Sequence, residues 1–245
     1  MTPTSAQLYD VVDATWAAAE YVSLGPWLLR DGKGGGKRVS AATASGAYQA
    51  GDIALAEAGM RRLGQEPLFM IREGDGRLDA DLAARGYGVI DPVVLYLAPV
   101  ASLTAELPRL AAFALWPPLA IACEIWAEGG IGPERLAVME RVSGPKTAIL
   151  GRMRDRAAGV GFTAIHDGIA MIHALEVTPA MRRQGTAVNI LRASANWAQD
   201  HGAEWFSLAV TQANTGAGNL YASLGMTIVG QYHYRQKCAR RGQSS

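Results

Sequence analysis

The feature that most constrains this chain lies in residues 169–210, where two apolar strands flank one amphipathic helix. IAMIHALEV (residues 169–177) is a nearly continuous apolar run, the pattern of a strand covered on both faces. Thr178-Pro179 ends it. MRRQGTA follows, and then Val188, Leu191, Ala195 and Ala198 recur at helical spacing. Gly202 suits the end of that helix, and WFSLAV (residues 205–210) reads as the next buried strand. A crossover of this length joins parallel strands. The chain is therefore expected to be an α/β protein.

What precedes this unit reads as an antiparallel meander. TAILGRMRD, AAGVGFTAIHDG and IAMIHALEV are successive strand candidates, with Asp155 and the Asp167-Gly168 pair supplying the turns. Residues 133–141 look helical. Residues 99–118, rich in Ala, Leu and Pro, are the best candidate for a connector. Further upstream, residues 6–20 read as a helix, and residues 25–44 as a hairpin with a glycine-rich tip. Asp52 reads as the N-cap of a helix carrying Ile53, Leu55, Met60 and Leu63. PLFMIREGD is a buried-strand pattern, LDADLAARGY a short helix closed by Gly86, and VIDPVVLYLAP a strand that Pro92 places near an edge or a bulge. LAARGYGVI at Leu82 faintly echoes ASLGMTIV at Ala222: a helix end, a glycine, a strand.

The loop between the strand and helix of the 169–210 unit carries the chemistry. Gly185 and Ala187 open the helix with almost no side chain, so a ligand can approach the backbone. The first-turn amides of a helix lack intrahelical partners and lie at the positive end of its dipole, which suits phosphate. Arg182 and Arg183 add positive charge beside them. The same residues also suit a plain surface loop that lets the helix pack closely on a sheet.

V-x-P-x-x-R-x-x-G-x-A, here Val177 to Ala187, resembles the acetyl-CoA-binding signature of the GNAT superfamily of N-acetyltransferases. Downstream, Asn214, Ala217, Leu220, Tyr221, Leu224, Gly225 and Met226 match that family's N-x-x-A-x-x-L-Y-x-x-L-G-F element, with Met226 in place of Phe. Arg183 stands where the family often has glycine. The resemblance covers residues 147–237 and implies a mixed, centrally splayed sheet flanked by helices. Taken with the echo between Leu82 and Ala222, the expected organisation is two GNAT-like halves: a degenerate one at 1–100, a connector at 101–118 and a catalytic domain at 119–245. Acetyl-CoA is the implied acyl donor. Its pantetheine arm would lie along Leu175 to Val177. Its pyrophosphate would rest on the amides of Arg183, Gln184, Gly185, Thr186, Ala187 and Val188, with Arg182 nearby.

The resemblance makes Tyr221 the general acid that protonates the departing thiolate; its place in an apolar helical stripe also suits a core residue. Asn214 is expected to cap the short helix after the second strand and to contact the cofactor. Glu176, on the cofactor strand, is the first choice of general base. His173 falls on the opposite face by simple alternation, and Glu124, Glu128 and the Tyr232-His233-Tyr234 group are the other candidates. The expected acceptor is a small-molecule or peptide amine.

Other readings are weaker. GKGGGKR (residues 32–38) does not fit the phosphate-loop pattern, because Lys37 is followed by Arg38. A nucleotide site near Gly34 and a non-catalytic acyl-CoA-binding module are the two rival functions. With 23 basic against 22 acidic residues there is no basic excess to suggest nucleic acid. Cys123 and Cys238 form no metal or disulfide pattern, and no metal is expected. Residues 1–13 lack a signal-peptide pattern, and the run at 110–123, interrupted by Pro117-Pro118, is too short to span a bilayer. A cytoplasmic protein without a membrane partner is expected, with a homodimer as one possible assembly.

Overall fold

A computed structural model describes residues 1–237 of the chain. In chain order the first elements are α1 (Ser5–Thr15), β1 (Glu20–Leu24), β2 (Trp27–Asp31), β3 (Thr43–Ala44), α2 (Asp52–Arg62), β4 (Leu68–Ile71) and α3 (Gly76–Ala84). There follow β5 (Tyr87–Pro99), α4 (Val100–Leu103), β6 (Ala112–Leu115), α5 (Ala120–Glu128) and α6 (Pro133–Arg141). The remainder is β7 (Lys146–Met153), β8 (Arg156–His166), β9 (Ile169–Val177), α7 (Thr186–Asp200), β10 (Trp205–Thr211), α8 (Thr215–Ser223) and β11 (Thr227–Lys237). Cys238 lies outside the described residues.

The chain forms two compact units. One comprises Met1–Ala17, Leu95–Val210 and Asn214–Val229; the other comprises Ala18–Val94, Thr211–Ala213 and the described residues from Gly230 onward. Each unit is thus assembled from non-consecutive segments of the chain. Residues 101–118 are not a bare connector: they carry most of α4 and all of β6, which pairs antiparallel with β7.

In the first unit the strand order is β5-β10-β9-β8-β7-β6. β6 through β9 are antiparallel neighbours, while β9 and β10 run parallel. The sheet is therefore mixed, as the crossover demands. Both meander turns use left-handed residues, Arg154 and Asp155 in one and Asp167 and Gly168 in the other. That backbone matches the twist of the flanking strands.

Two layers of helix cover this sheet. α7 packs on one face through Ile190 and Leu191, both essentially fully buried. Each such side chain contributes about 1.5–3 kcal/mol. Close packing depends on Gly151, Gly159 and Gly161: a Cβ on any of them would fall within 2.7–3.1 Å of Ile190 side-chain atoms. The opposite face carries α1 and α5. There Trp16 meets Phe162 edge-on at 6.2 Å, and the Thr15 hydroxyl meets His173 Nε2 at 2.8 Å. Thr15 also donates to the Val11 carbonyl at 2.6 Å, so it accepts from His173, whose Nε2 therefore carries hydrogen.

The second unit has a three-stranded antiparallel sheet, β1-β2-β3, and a β4–β11 antiparallel pair. Its core gathers Trp27, Phe69, Met60 and Tyr87. Here sequence expectations need correction. Glu20 begins a strand rather than ending a helix, and the tight hairpin turns at Gly25, left-handed at φ +58°. The glycine-rich stretch joins β2 to β3, which pair antiparallel, Trp27 with Ala44 and Leu28 with Thr43, so the hairpin expected over residues 25–44 is present. Asp52 is the first residue of α2 and Gly51 its cap; the Asp52 carboxylate accepts from the Gln49 amide at 2.8 Å. Among the described residues no helix is long and apolar enough to cross a membrane.

Candidate active site

The site is built where two parallel strands part. β9 and β10 pair from Ile169↔Trp205 to Ile172↔Leu208. Past that point β9 continues to Val177 and β10 to Thr211 without further pairing to each other. A bulge lies at the same place. On the β8 side, Phe162 faces His173 and Val160 faces Glu176, so Ala174 and Leu175 both stand opposite Gly161. Ala174 has φ +50°, a left-handed conformation that costs a residue with a Cβ about 1–2 kcal/mol. The Trp126 indole donates to the Ala174 carbonyl at 2.8 Å, a bond whose net contribution of about 0.5–1.5 kcal/mol is of the same order.

The bulge decides which groups face the split. The Thr178 amide donates to the Ala158 carbonyl at 2.9 Å, and pairing type alternates along an antiparallel ladder. Thr178 and Glu176 thus bond toward β8, while the backbone groups of Leu175 and Val177 point away from it. The bulge also overturns simple alternation. His173 and Glu176 pair with Phe162 and Val160, two residues apart on β8, so their side chains share the face of α1 and α5. His173 is packed among Thr15, Trp16 and Phe162 and does not line the cleft.

The loop after β9 leads into the start of α7. Arg183 and Gly185 are both left-handed, at φ +62° and +88°. The Asn189 amide reaches the Gly185 carbonyl, so the amides of Thr186, Ala187 and Val188 come before the first intrahelical acceptor. Arg182 donates from Nε to the Val177 carbonyl at 3.1 Å and from Nη2 to Glu176 Oε1 at 3.2 Å. Glu176 owes its position to Gly129, just past α5: a Cβ there would lie 2.6 Å from Glu176 Cγ.

The third wall is α8. Asn214 caps it as expected, Oδ1 accepting from the Ala217 amide at 3.2 Å. Tyr221 is 7% exposed, with its ring 5.5 Å from that of Tyr96. Burial first, and then the neighbouring Tyr96, push its phenol up to about 12. The hydroxyl has no hydrogen-bond partner among the described residues.

These walls enclose a cleft of about 730 Å³. It brings together Leu175, Glu176, Val177, Arg182, Arg183, Gly185, Thr186, Ala187, Val188, Asn214 and Tyr221. Gln184 is left out of the lining; its side chain turns back to the Ala180 carbonyl at 3.0 Å. Met181, Gly216, Asn219 and Ser223 line the cleft but carried no legible signal. Glu124 and Glu128 are exposed on α5 away from the lining, and His233 pairs with Asp79 at 2.7 Å in the other unit. The glycine doublet Gly129-Gly130 was the sequence mark of the close approach at Glu176.

Residues 128–226 match the sequence model of the Acetyltransferase (GNAT) family. An uncharacterized N-acetyltransferase, YobR, of Bacillus subtilis (strain 168) is 28% identical over 234 residues, spanning 91% of this chain and 95% of its own. Aminoglycoside N(6')-acetyltransferase type 1 of Klebsiella aerogenes is 24% identical over 126 residues, 46% of this chain and 83% of its own. A solved GCN5-related N-acetyltransferase from Kribbella flavida superposes with TM-score 0.70 at 19% identity, covering 98% of this chain and 97% of that one. The chain shares the α/β fold of that structure. Over residues 128–226 the chain is similar to the GNAT acetyltransferases.

Proposed function

We propose that this protein transfers an acetyl group from acetyl-CoA directly to an amine, with Tyr221 as general acid and Glu176 as general base. The observation that carries the reading is the split between β9 and β10, which opens beside the unpaired amides of α7. GNAT family members use acetyl-CoA as acyl donor, and the residues present fit it. A left-handed Gly185 clears the helix N-terminus, where a Cβ would meet nothing within 4 Å. Arg182 and Arg183 supply cationic charge at the same edge. Thr186, Ala187 and Val188 would hold the pyrophosphate through backbone amides. Leu175 and Val177 would hold the pantetheine arm through backbone groups turned away from β8, and Asn214 lines the opposite wall.

Acetyl-CoA, when bound, supplies an activated thioester. The amides of Leu175 and Val177 are fixed donors for the charge that develops on the carbonyl oxygen, and fixed donors need no reorganisation as it develops. The Tyr221 hydroxyl gives its proton to the departing sulfur. Its raised pKa keeps that proton in place at neutral pH. The Glu176 carboxylate, steadied by Arg182, takes the proton the attacking amine must lose. The acceptor is read as a small-molecule or peptide amine. The N-terminal half is read as a degenerate repeat, supported by two matching helix–glycine–strand corners whose glycines, Gly86 and Gly225, both have φ +79°. Screening thioester consumption across amine classes, aminoglycosides included, tests the activity: turnover with at least one class is expected. Tight acetyl-CoA binding without turnover on any amine would leave a non-catalytic acyl-CoA-binding module instead.

A further inference from the structure

We propose that Trp126 is a positioning residue: its indole N–H holds Ala174 in the left-handed bulge and so aims the Leu175 and Val177 amides at the acyl arm of acetyl-CoA. The inference rests on the reading of β9 as the donor strand and adds to it the group that shapes that strand.

The argument starts from what β9 would do otherwise. In a regular ladder, Leu175 would pair with Val160 and bond to β8, as His173 does opposite Phe162. The side chains would also exchange faces, sending Glu176 toward α7. One extra residue at Ala174 reverses both outcomes. Nothing in an alanine favours φ +50°, since the left-handed region is ordinarily left to glycine and asparagine. The conformation therefore has to be imposed from outside. Trp126 is fully buried on α5, and its indole nitrogen lies 2.8 Å from the Ala174 carbonyl. Indole is a donor with no competing acceptor role. Once buried it needs such an oxygen, so the helix and the bulge fix one another. Gly161 leaves room on the partner strand: a Cβ there would come within 3.0 Å of Ile172 and 3.1 Å of Ile190.

Trp126→Phe keeps most of the ring and deletes the donor. Two probes separate positioning from packing: acetyl-CoA, and adenosine 3′,5′-bisphosphate, which has phosphates but no pantetheine. Acetyl-CoA affinity should fall about tenfold, the worth of one or two misaimed hydrogen bonds. Affinity for the bisphosphate should stay within about twofold of the parent, and the Leu175 and Val177 amide resonances should shift in the unliganded protein. Adding Ala174→Gly should restore acetyl-CoA affinity to within about threefold, because glycine adopts φ +50° without a tether. Equal weakening toward both probes, no weakening, or a failed rescue would each overturn the proposal. If Trp126→Phe does not fold, Ala174→Val serves instead. A β-branched residue resists the bulge with Trp126 intact, so the same selective loss is expected, and parent-like affinity would overturn the idea. If the parent itself ignores acetyl-CoA, the donor reading fails, and the unliganded amide shifts and their return with Ala174→Gly decide this inference alone.

Discussion

Tyr221→Phe separates chemistry from packing more cleanly than any other change at this site. It removes one oxygen from a side chain that is 7% exposed and leaves the ring against Tyr96. The lost hydroxyl has no partner among the described residues, so no protein hydrogen bond is broken and no group is orphaned. Stability should change by less than about 1 kcal/mol, which for a chain of this size moves Tm by at most about 4 °C. Acetyl-CoA affinity should likewise hold. General acid catalysis contributes about 10²–10⁴-fold, so kcat should fall by that factor, or about 2.7–5.4 kcal/mol of barrier at 1.36 kcal/mol per decade. The pH dependence follows from the direction of the shift. The phenol loses its proton only as pH rises through about 12, so the acid form persists across the working range. The parent's kcat should therefore show no falling limb from this group below about pH 10. The assay is single-turnover thioester cleavage with an acceptor found by the amine screen, followed by release of free thiol. A Tyr221→Phe rate equal to the parent's would refute the reasoning and return Tyr221 to a packing role.

Two further substitutions probe the other walls. Gly185→Glu has space for its side chain but forces φ +88° on a residue with a Cβ and puts a carboxylate where phosphate is read to sit. Together these should cost binding about 2–3 kcal/mol, or about 30–150-fold in acetyl-CoA affinity by calorimetry, with the fold retained. Gly129→Ala places a methyl 2.6 Å from Glu176 Cγ and must push that flexible side chain off Arg182. Turnover should fall about tenfold or more, as expected for a displaced general base, with acetyl-CoA affinity and Tm little changed; parent-like kcat would remove Glu176 from the mechanism.

The parts of the molecule legible in the sequence are those whose backbone demands a particular residue. Asp167-Gly168 announced the β8–β9 turn, and Gly185 and Asn214 announced the helix starts, because glycine and asparagine fit where other residues strain or leave amides unpaired. The bulge at Ala174 carried no such mark on its own strand. Its conformation is imposed by Trp126, a residue 48 positions away, and the only local hint was the Gly159-x-Gly161 pattern on the neighbouring strand. For that reason alternation put His173 and Glu176 on opposite faces when they share one. β6 was hidden inside a Pro-rich stretch because a short edge strand shows little periodicity. The β1–β2 turn is marked by the single Gly25, a fainter signal than the four glycines at 32–36.

The measurement closest to the central claim is a calorimetric titration of acetyl-CoA into the purified protein. One molecule should bind per chain with a Kd in the micromolar range, about −8 kcal/mol, because the cleft at α7 carries the phosphate signature and residues 1–100 carry no counterpart. No heat and no thermal shift at millimolar acetyl-CoA would contradict the account.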